Sequence, residues 1–325
     1  MSSLPTSTNG PGVPPIFHVD RRLKRRKIVN RLMEGVSTLA ALLAVAVLVL
    51  LVGSVVVRGA SAFNGAFFTQ VASGDFLNPA GGGIAHAIVG SAVIVLLATL
   101  IAVPVGVLVA IYTSEFARPQ VAGIVRLCLD VLNGIPSIVI GIFIFGLLVV
   151  GRGQAAWIAS VALSVIMLPL IARSTQEVLT LVPLTLREAA LGVGVAKWRM
   201  VIGIVIPASL GGIMTGVSLA IARVAGETAP ILFTSSIAVN QISTDVSHAL
   251  QTIPVLIFTY SESPEPADHA KAWGGAILLI GFVLFTSVLS RMLMSRMKRR
   301  LEGGARGELL GRVTGLLGLF RRPSA

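Results

Sequence analysis

Cysteine, charged residues and aromatic residues are all scarce in this sequence of 325 residues. The one cysteine, Cys128, cannot form a disulfide within the chain, which excludes a disulfide scaffold and a cysteine-based metal cluster. Charged residues make up 12% of the chain, about half the share that a soluble domain carries. Because 54% of the residues are hydrophobic, so few charges cannot cover a surface that faces water. The composition therefore disfavours a soluble enzyme and a disordered chain.

Long apolar runs occupy most of the sequence, and its mean hydropathy is +0.89. A membrane core about 30 Å thick requires about 20 apolar helical residues to cross it. A scan for such runs predicts six transmembrane helices and therefore an all-α membrane protein. The predicted spans are residues 36–57, 84–113, 132–150, 154–172, 208–236 and 272–294.

These spans divide the chain into an N-terminal tail of residues 1–35, a transmembrane domain of residues 36–295 and a basic tail of residues 296–325. Residues 1–20 are rich in Ser, Thr, Pro and Gly and lack apolar periodicity, which predicts disorder. The basic run 21–27 raises the alternative of a cleaved signal peptide. We favour a retained helix, because the apolar stretch that follows is longer than a signal peptide has and lacks a clear cleavage site.

Lysine and arginine give the chain a formal net charge of +12. Of the 26 basic residues, 22 lie in the N-terminal tail, from Arg291 onward, and in the loops after the second and fourth predicted spans. Positive charge marks the cytoplasmic side of a membrane protein, so both termini are predicted to be cytoplasmic. The basic residues flank spans and do not line a groove with aromatic residues, which argues against nucleic acid as a partner. Attraction to anionic membrane lipid is sufficient to explain them.

The segment 173–207, between the fourth and fifth predicted spans, contains a spaced motif. It reads Glu-Ala-Ala, three residues, Gly, nine residues and Ile-Val-Ile-Pro, at Glu188, Ala189, Ala190, Gly194 and 204–207. This pattern resembles the EAA loop of bacterial ABC importer permeases. Its departure from that pattern is Ile206, where leucine is usual, an apolar exchange of little consequence.

The resemblance implies that the residues around Glu188 form a short coupling helix that docks on an ATPase subunit. The residues themselves are consistent with this, because Gly194 permits a chain reversal that a residue with a Cβ atom resists. The alternative is a helix that lies on the lipid surface. Glu188 and Gly194 fit that alternative less well, since neither adds apolar area.

The sequence has no nucleotide-binding motif of its own. A P-loop requires a glycine-rich loop that ends in Lys-Ser or Lys-Thr, and none of the five lysines is followed by Ser or Thr. We therefore expect no cofactor on this chain, and the resemblance places ATP and Mg²⁺ on a partner ATPase. The four histidines are scattered without ligand spacing, so we predict no metal site, and we assign no catalytic residue.

Arg223 and Glu227 lie inside the fifth predicted span. Four residues apart in one helix, they are predicted to share a face. Ionisable groups at membrane depth are costly and usually face a polar interior, and a guanidinium group matches an oxyanion with two parallel hydrogen bonds. Arg223 is therefore a candidate for an anion path, with Glu227 tuning its charge. The alternative is a salt bridge that only neutralises both groups.

Arg173 is predicted to lie just past the fourth span. By itself it indicates either a second residue of the anion path or an anchor at the cytoplasmic surface. Proline and glycine residues in the third and fifth predicted spans predict two local features. Pro136 is able to bend the third span, and Gly212 with Gly216 predicts close approach of a neighbouring helix.

Two further sequence segments indicate which type of ABC importer permease the chain resembles. They are Asp130–Val139, and Gly226–Pro230 followed by Leu232, Phe233 and Thr234. Both resemble the A-type permease subunit of phosphate-specific ABC importers, and the similarity extends over about residues 80–295. It implies a type I ABC importer permease fold in a bacterial inner membrane. It also implies that Arg173 and Arg223 take part in phosphate passage.

The predicted function is that of a permease subunit in an ATP-driven importer of inorganic phosphate. The resemblance implies three kinds of partner, namely a second, C-type permease, a B-type ATPase dimer and an extracytoplasmic phosphate-binding protein. Two alternatives remain: an ABC permease for another oxyanion such as sulfate, and an anion transporter driven by an ion gradient. A structural membrane protein without transport is disfavoured by the ionisable residues inside the fifth span.

Overall fold

A computed structural model describes residues 21–72, 82–236, 241–289 and 291–292. Regular structure in these residues is helical, in agreement with the predicted all-α class. The predicted disordered segment 1–20 and the basic tail 296–325 lie outside the described residues. The chain divides into two compact units, residues 1–54 and 55–325.

The described part of the first unit is one long helix, α1, which runs through Arg21–Gly59 and so ends in the second unit. It contains the first predicted span. Large apolar side chains along it are exposed, as Leu42 at 62% and Leu50 at 72% illustrate. A helix that is apolar around its whole circumference is suited to hydrocarbon surroundings and not to water.

The described part of the second unit contains both short and long helices. They are α2 (Gly65–Thr69), α3 (Ala85–Ile111), α4 (Pro119–Gly134), α5 (Ser137–Ile144), α6 (Ala156–Thr180), α7 (Leu184–Gly192), α8 (Lys197–Met200), α9 (Ile206–Val224), α10 (Ala229–Thr234), α11 (Ile253–Ser261) and α12 (Pro266–Leu289). Turns of π-helix extend α3 through Tyr112–Phe116 and α5 through Phe145–Val149, and a third, Val201–Val205, joins α8 to α9.

Five helical stretches in the described residues are long and apolar enough to cross a membrane. They are Arg25–Ala62, Ala85–Phe116, Ala156–Thr180, Lys197–Val224 and Pro266–Leu289. The pair formed by α4 and α5 passes the same test together and makes a sixth span if it is counted as one. On that count the structure agrees with the six spans that the sequence predicts.

The third predicted span is not one continuous helix. Its residues, 132–150, fall across the break between α4 and α5, whose axes differ in direction by 97°. Pro136 explains the break, because proline lacks the N–H group of a helix interior and its ring excludes the helical conformation from the residue before it. That residue, Ile135, has extended backbone angles (φ −71°, ψ 130°). The prediction of a bend at Pro136 is confirmed, and the bent helical pair begins at Pro119, well before residue 132.

The fifth predicted span, 208–236, is also interrupted. The helix that begins at Lys197 ends at Val224, and the chain turns through residues 225–228 before α10 begins. Pro230 stands in the first turn of α10, where a missing N–H group costs nothing, so a new helix is able to start there. Glu227 therefore lies in a turn, and the prediction that it continues the helix of Arg223 is wrong.

Helix α6 lies in the core of the second unit and packs against α3, α4 and α9. Its side chains Leu163, Met167 and Ile171 are completely buried. The helix continues to Thr180, whereas the sequence predicts that the span ends at residue 172. Burial on several sides explains the extension, since helices gain most of their stability from packing.

Gly212 and Gly216 of α9 face α6 at close range. A Cβ atom on Gly216 would overlap the side chain of Ser174, and one on Gly212 would overlap Val178. The predicted close approach is thereby confirmed, and its partner is α6. Small residues at this contact hold the end of α9 that carries Arg223 at a defined position along α6.

Candidate functional site

Arg223, in the last turn of α9, lines a cavity of about 260 Å³. Most other lining residues belong to the break between α4 and α5, from Leu132 to Ser137. Asn133 and Ser137 are polar residues that line the same cavity. A broken helix at membrane depth is tolerated where its free backbone groups face protein or a polar cavity, and this break lines such a cavity.

The cavity lies near the middle of α6. Ile166, which also lines it, follows the first residue of α6, Ala156, by 10 positions and precedes the last, Thr180, by 14. At 1.5 Å per residue these separations are roughly 15 Å and 21 Å. Arg223 therefore lines a cavity near the middle of a helix long enough to span the membrane, where an unbound cation is costly.

Arg223 and Glu227 form a loose contact. The Nε atom of Arg223 is 4.0 Å from Oε1 of Glu227, and 52% of the arginine side chain is exposed. Because Glu227 lies after the end of α9, the two side chains do not share a helix face as predicted. Most of the five guanidinium donors of Arg223 remain available for another ligand.

Arg173 lies inside α6, which continues for seven residues beyond it to Thr180. Its Nε donates a hydrogen bond of 2.8 Å to Oδ1 of Asp130 on α4, and its Nη2 contacts the same oxygen. Its Nη1 donates a longer bond of 3.4 Å to Oε1 of Gln176. Arg173 therefore ties α6 to α4, and it lies seven residues, roughly 10 Å, closer to the end of α6 than Ile166 does.

Close packing and hydrogen bonds join α10 to α5 and to the start of α6, beside the cavity. Helix α10 packs on α5, where a Cβ atom on Gly141 would lie 2.7 Å from the Cα atom of Pro230. After α10, the side chain of Gln154 donates to the carbonyl oxygen of Phe233 at 3.1 Å and accepts from the N–H group of Ser236 at 2.8 Å. These bonds hold the C-terminal end of α10 beside the start of α6.

The EAA motif forms helix α7 and the turn that follows it. Glu188, Ala189 and Ala190 lie within α7, and Gly194 has a φ of +83°. Only glycine adopts this left-handed conformation without strain, which agrees with the predicted chain reversal. The N–H group of Val195 then returns to the carbonyl oxygen of Ala190 at 3.1 Å, which closes the end of the helix.

One face of this segment is buried and the other is open. Ala190 packs with Leu179, Val182 and Met200 in a small apolar cluster. Glu188 and Ala189 are exposed, together with several large apolar side chains nearby in the sequence. These are Leu181, Leu184, Leu191, Val193 and Trp198. Exposed apolar groups of this kind commonly mark a surface that a partner covers.

The sequence analysis did not anticipate an ion pair between α7 and the end of α3. Nη2 of Arg187 lies 2.9 Å from Oε1 of Glu115, and the two side chains are only 17% and 5% exposed. The same analysis did not assign Asp130 as the partner of Arg173. The available signal was the scarcity of acidic residues, 14 in the whole chain, since an acid next to an apolar span commonly has a basic partner.

Residues 102–299 match the family of binding-protein-dependent transport system inner membrane components. The chain belongs to this family. It is therefore a transport subunit and not an enzyme in itself, and it is a multi-pass protein of the bacterial inner membrane.

Relatives in this family carry a more specific name. The phosphate transport system permease protein PstA of Yersinia pestis is 38% identical over 283 residues, which cover 86% of this chain and 95% of the relative. Phosphate transport system permease protein PstA 1 of Mycobacterium tuberculosis is 35% identical over 280 residues, covering 85% and 91%. These relatives confirm the resemblance to A-type phosphate permeases that the sequence indicates.

Solved structures confirm the fold. A chain of a bacterial alginate ABC transporter aligns with a TM-score of 0.57 at 17% identity and covers 82% of this chain and 97% of that chain. A chain of the inward-facing MetNI methionine ABC transporter aligns with a TM-score of 0.52 at 17% identity, covering 65% and 93%. The fold is that of type I ABC importer permeases, as predicted.

Proposed function

We propose that this chain is a permease subunit of an ATP-driven importer of inorganic phosphate and forms the membrane path with a second, C-type permease. One observation carries the proposal. Arg223 presents a loosely paired guanidinium group to a polar cavity at mid-depth of α6, in a chain whose relatives are named phosphate permeases. A cation in that position is costly without an anionic ligand, and it is useful with one.

The proposed anion path has two cationic positions and three residues, namely Arg223, Glu227 and Arg173. Arg223 supplies donors to the oxyanion in the cavity, where Asn133 and Ser137 provide further polar groups. Glu227 limits the positive charge at this point, so that the anion is not held too strongly to leave. Arg173, roughly 10 Å further along α6, forms a second cationic position whose charge Asp130 moderates.

Helix α7 is the proposed coupling helix, with Glu188, Ala189, Ala190 and Gly194 as the residues that shape it. The exposed apolar side chains around Glu188 support docking of an ATPase subunit on this segment. In this proposal ATP and Mg²⁺ bind to a B-type ATPase dimer, this chain binds no cofactor, and an extracytoplasmic phosphate-binding protein delivers the substrate. Helix α7 and both termini then face the cytoplasm, as the basic residues indicate.

Reconstitution in lipid vesicles tests the transport proposal. The chain, its C-type permease and the ATPase dimer are inserted together, and radioactive phosphate uptake is measured with and without ATP and the phosphate-binding protein. We expect uptake that requires both. Uptake by this chain alone, driven by an ion gradient, would contradict the proposal, and so would uptake of sulfate in preference to phosphate.

A glycine exchange tests the coupling segment. Gly194→Val places a β-branched residue at a φ of +83°, which strains the end of α7, whereas Gly192→Val changes a neighbouring glycine of ordinary φ. We expect Gly194→Val to lower co-purification with the ATPase and phosphate uptake, with a smaller effect of Gly192→Val. Equal effects of the two variants would count against a special role for the turn.

A further inference from the structure

The turn Tyr112–Phe116 at the end of α3 meets the coupling helix through one buried ion pair. Oε1 of Glu115 in this turn lies 2.9 Å from Nη2 of Arg187 in α7. Glu115 is buried and Arg187 is mostly buried, with side chains that are 5% and 17% exposed. Arg187 directly precedes the exposed Glu188 of the EAA motif, so the pair lies immediately behind the proposed docking surface.

Apolar packing by itself does not fix the orientation of α7. Ala190 is the one buried residue among Leu184–Gly192, and its side chain is a single methyl group. Arg187 reaches further into the protein, where its Nη2 also donates to the carbonyl oxygen of Leu179 at 2.7 Å. The link between α7 and the rest of the permease therefore depends strongly on Arg187.

The turn at the end of α3 has two further contacts. Oγ1 of Thr113 accepts a hydrogen bond of 2.7 Å from Nε2 of Gln176 on α6, and this bond is buried. Nζ of Lys197, at the start of α8, lies 5.4 Å from the ring centroid of Phe116, a cation–π distance. The turn thus contacts α6, α7 and α8, while α3 above it packs along α6.

The hydrogen bonding of the ion pair is incomplete. Within the described residues, Oε1 of Glu115 accepts no hydrogen bond of good geometry, and Nε of Arg187 donates none, although both atoms are buried. Buried polar atoms without partners are uncommon in a purely structural contact.

We propose that the Glu115–Arg187 pair is the joint that transmits movement of the coupling helix to α3, and through α3 to the helices that line the anion path. Both are positioning residues, because neither lies on the proposed path. A buried, directional contact is suited to this role, since displacement of α7 moves the turn as a rigid body and shifts α3 against α6. This inference rests on the proposed function, which supplies the ATPase that moves α7.

The number of phosphate ions imported per ATP hydrolysed measures the joint directly. This ratio is independent of how much complex assembles, so it separates coupling from stability. The test uses the complete complex in vesicles with Glu115→Gln, Arg187→Gln and the charge exchange Glu115→Arg with Arg187→Glu. Glu177→Gln is the matched control, because Glu177 is an exposed glutamate on α6, near the same end of the molecule.

We expect each single variant to lower the ratio by about fivefold or more, which is the lower range of allosteric coupling. The charge exchange should recover at least half of the loss, and Glu177→Gln should match the wild type. An unchanged ratio in the single variants would overturn the inference. A charge exchange as defective as the single variants would overturn the role of the ion pair itself.

If Glu115→Gln yields no assembled complex, the inference is tested with a milder variant in the same turn. Thr113→Val removes only the hydroxyl group that Gln176 bonds, and it should also lower the ratio. A wild-type ratio in Thr113→Val would then overturn the inference. Failure of the wild-type complex to import phosphate would refute the proposed function instead, so the two failures are distinguishable.

Discussion

Arg223 and Arg187 each face a glutamate, but the two contacts differ in the distance between the charged groups and in the exposure of the side chains. Arg223 lies 4.0 Å from Glu227, its side chain is half exposed, and it lines a cavity. Arg187 lies 2.9 Å from Glu115, and both members of that pair are buried. Arg223 has hydrogen-bond donors available for a ligand near the middle of α6, whereas Arg187 is enclosed by protein at the coupling helix.

This difference separates a binding role from a mechanical role. At a separation of 4.0 Å and with half of the arginine side chain exposed, this pair contributes about 1 kcal/mol or less to stability, so Glu227 restrains Arg223 weakly and leaves it free to bind an anion. A buried pair is costly to break, because the charge left behind lacks both water and a partner. Variants at the two arginines should therefore fail in different ways, and four predictions test that contrast.

The largest expected effect comes from breaking the buried pair on one side only. Glu115→Leu leaves Arg187 buried without a counter-charge, which costs about 3–5 kcal/mol of unfolding free energy. The double variant with Arg187→Met replaces both charges by apolar groups, and we expect it to recover most of that loss. Unfolding of the purified protein in a detergent titration measures both variants. A double variant as unstable as the single one would show that the pair is not what stabilises this region.

Arg223→Gln should reduce transport without reducing stability. Losing a charge-assisted hydrogen bond worth about 1.5–3 kcal/mol lowers phosphate uptake at limiting concentration by roughly 10-fold to 100-fold. Uptake in vesicles and detergent unfolding of the same preparation are compared, with Arg152→Gln, an exposed arginine elsewhere, as the control. Normal uptake with reduced stability would reverse the assignment and make Arg223 a structural residue.

The contact that positions Arg223 is sensitive to a single methyl group. Gly216→Ala forces Ser174 or the helices apart, and overpacking of this kind costs about 1–3 kcal/mol. Gly123→Ala is the control, since a Cβ atom there meets no atom within 4 Å, and it should leave stability unchanged or slightly higher. Detergent unfolding and uptake are measured for both variants. Equal behaviour would indicate that the spacing of α6 and α9 does not support the path.

Glu227→Gln should give the smallest effect. The pair with Arg223 is at the outer limit of an ion contact, so we expect a stability change of less than about 1 kcal/mol. The measurable consequence is a change in the apparent affinity for phosphate, because the anion meets a less compensated arginine. Glu262→Gln, an exposed glutamate outside the path, provides the control. A stability loss as large as that of Glu115→Leu would remove the distinction between the two contacts.

Features that depend on local chemistry could be predicted from the sequence. The left-handed φ of Gly194 and the bend at Pro136 follow from residue types that leave the backbone few choices. The close packing at Gly212 and Gly216 follows from the absence of side chains at helical spacing, although the identity of the partner helix does not.

Span boundaries could be predicted only where hydropathy and helix ends coincide. In the run around Gly226, Arg223 and Glu227 interrupt the apolar residues, and α9 ends there at Val224, inside the predicted span 208–236. Helix α6 shows the opposite case. It continues past residue 172 through polar positions such as Gln176, because burial supports the helix where hydropathy falls.

Composition and spacing, read from the sequence by themselves, determined that this chain is an apolar helical membrane protein with a rare cation inside a span, and the resemblance of its EAA motif implied a permease. Those properties depend on transfer of side chains into hydrocarbon and on local backbone preferences. The tertiary structure alone decided which groups meet: Asp130 with Arg173, Glu115 with Arg187, and Arg223 with a cavity at a broken helix. These contacts join residues that are far apart in the chain, so only the packing of the helices brings them together.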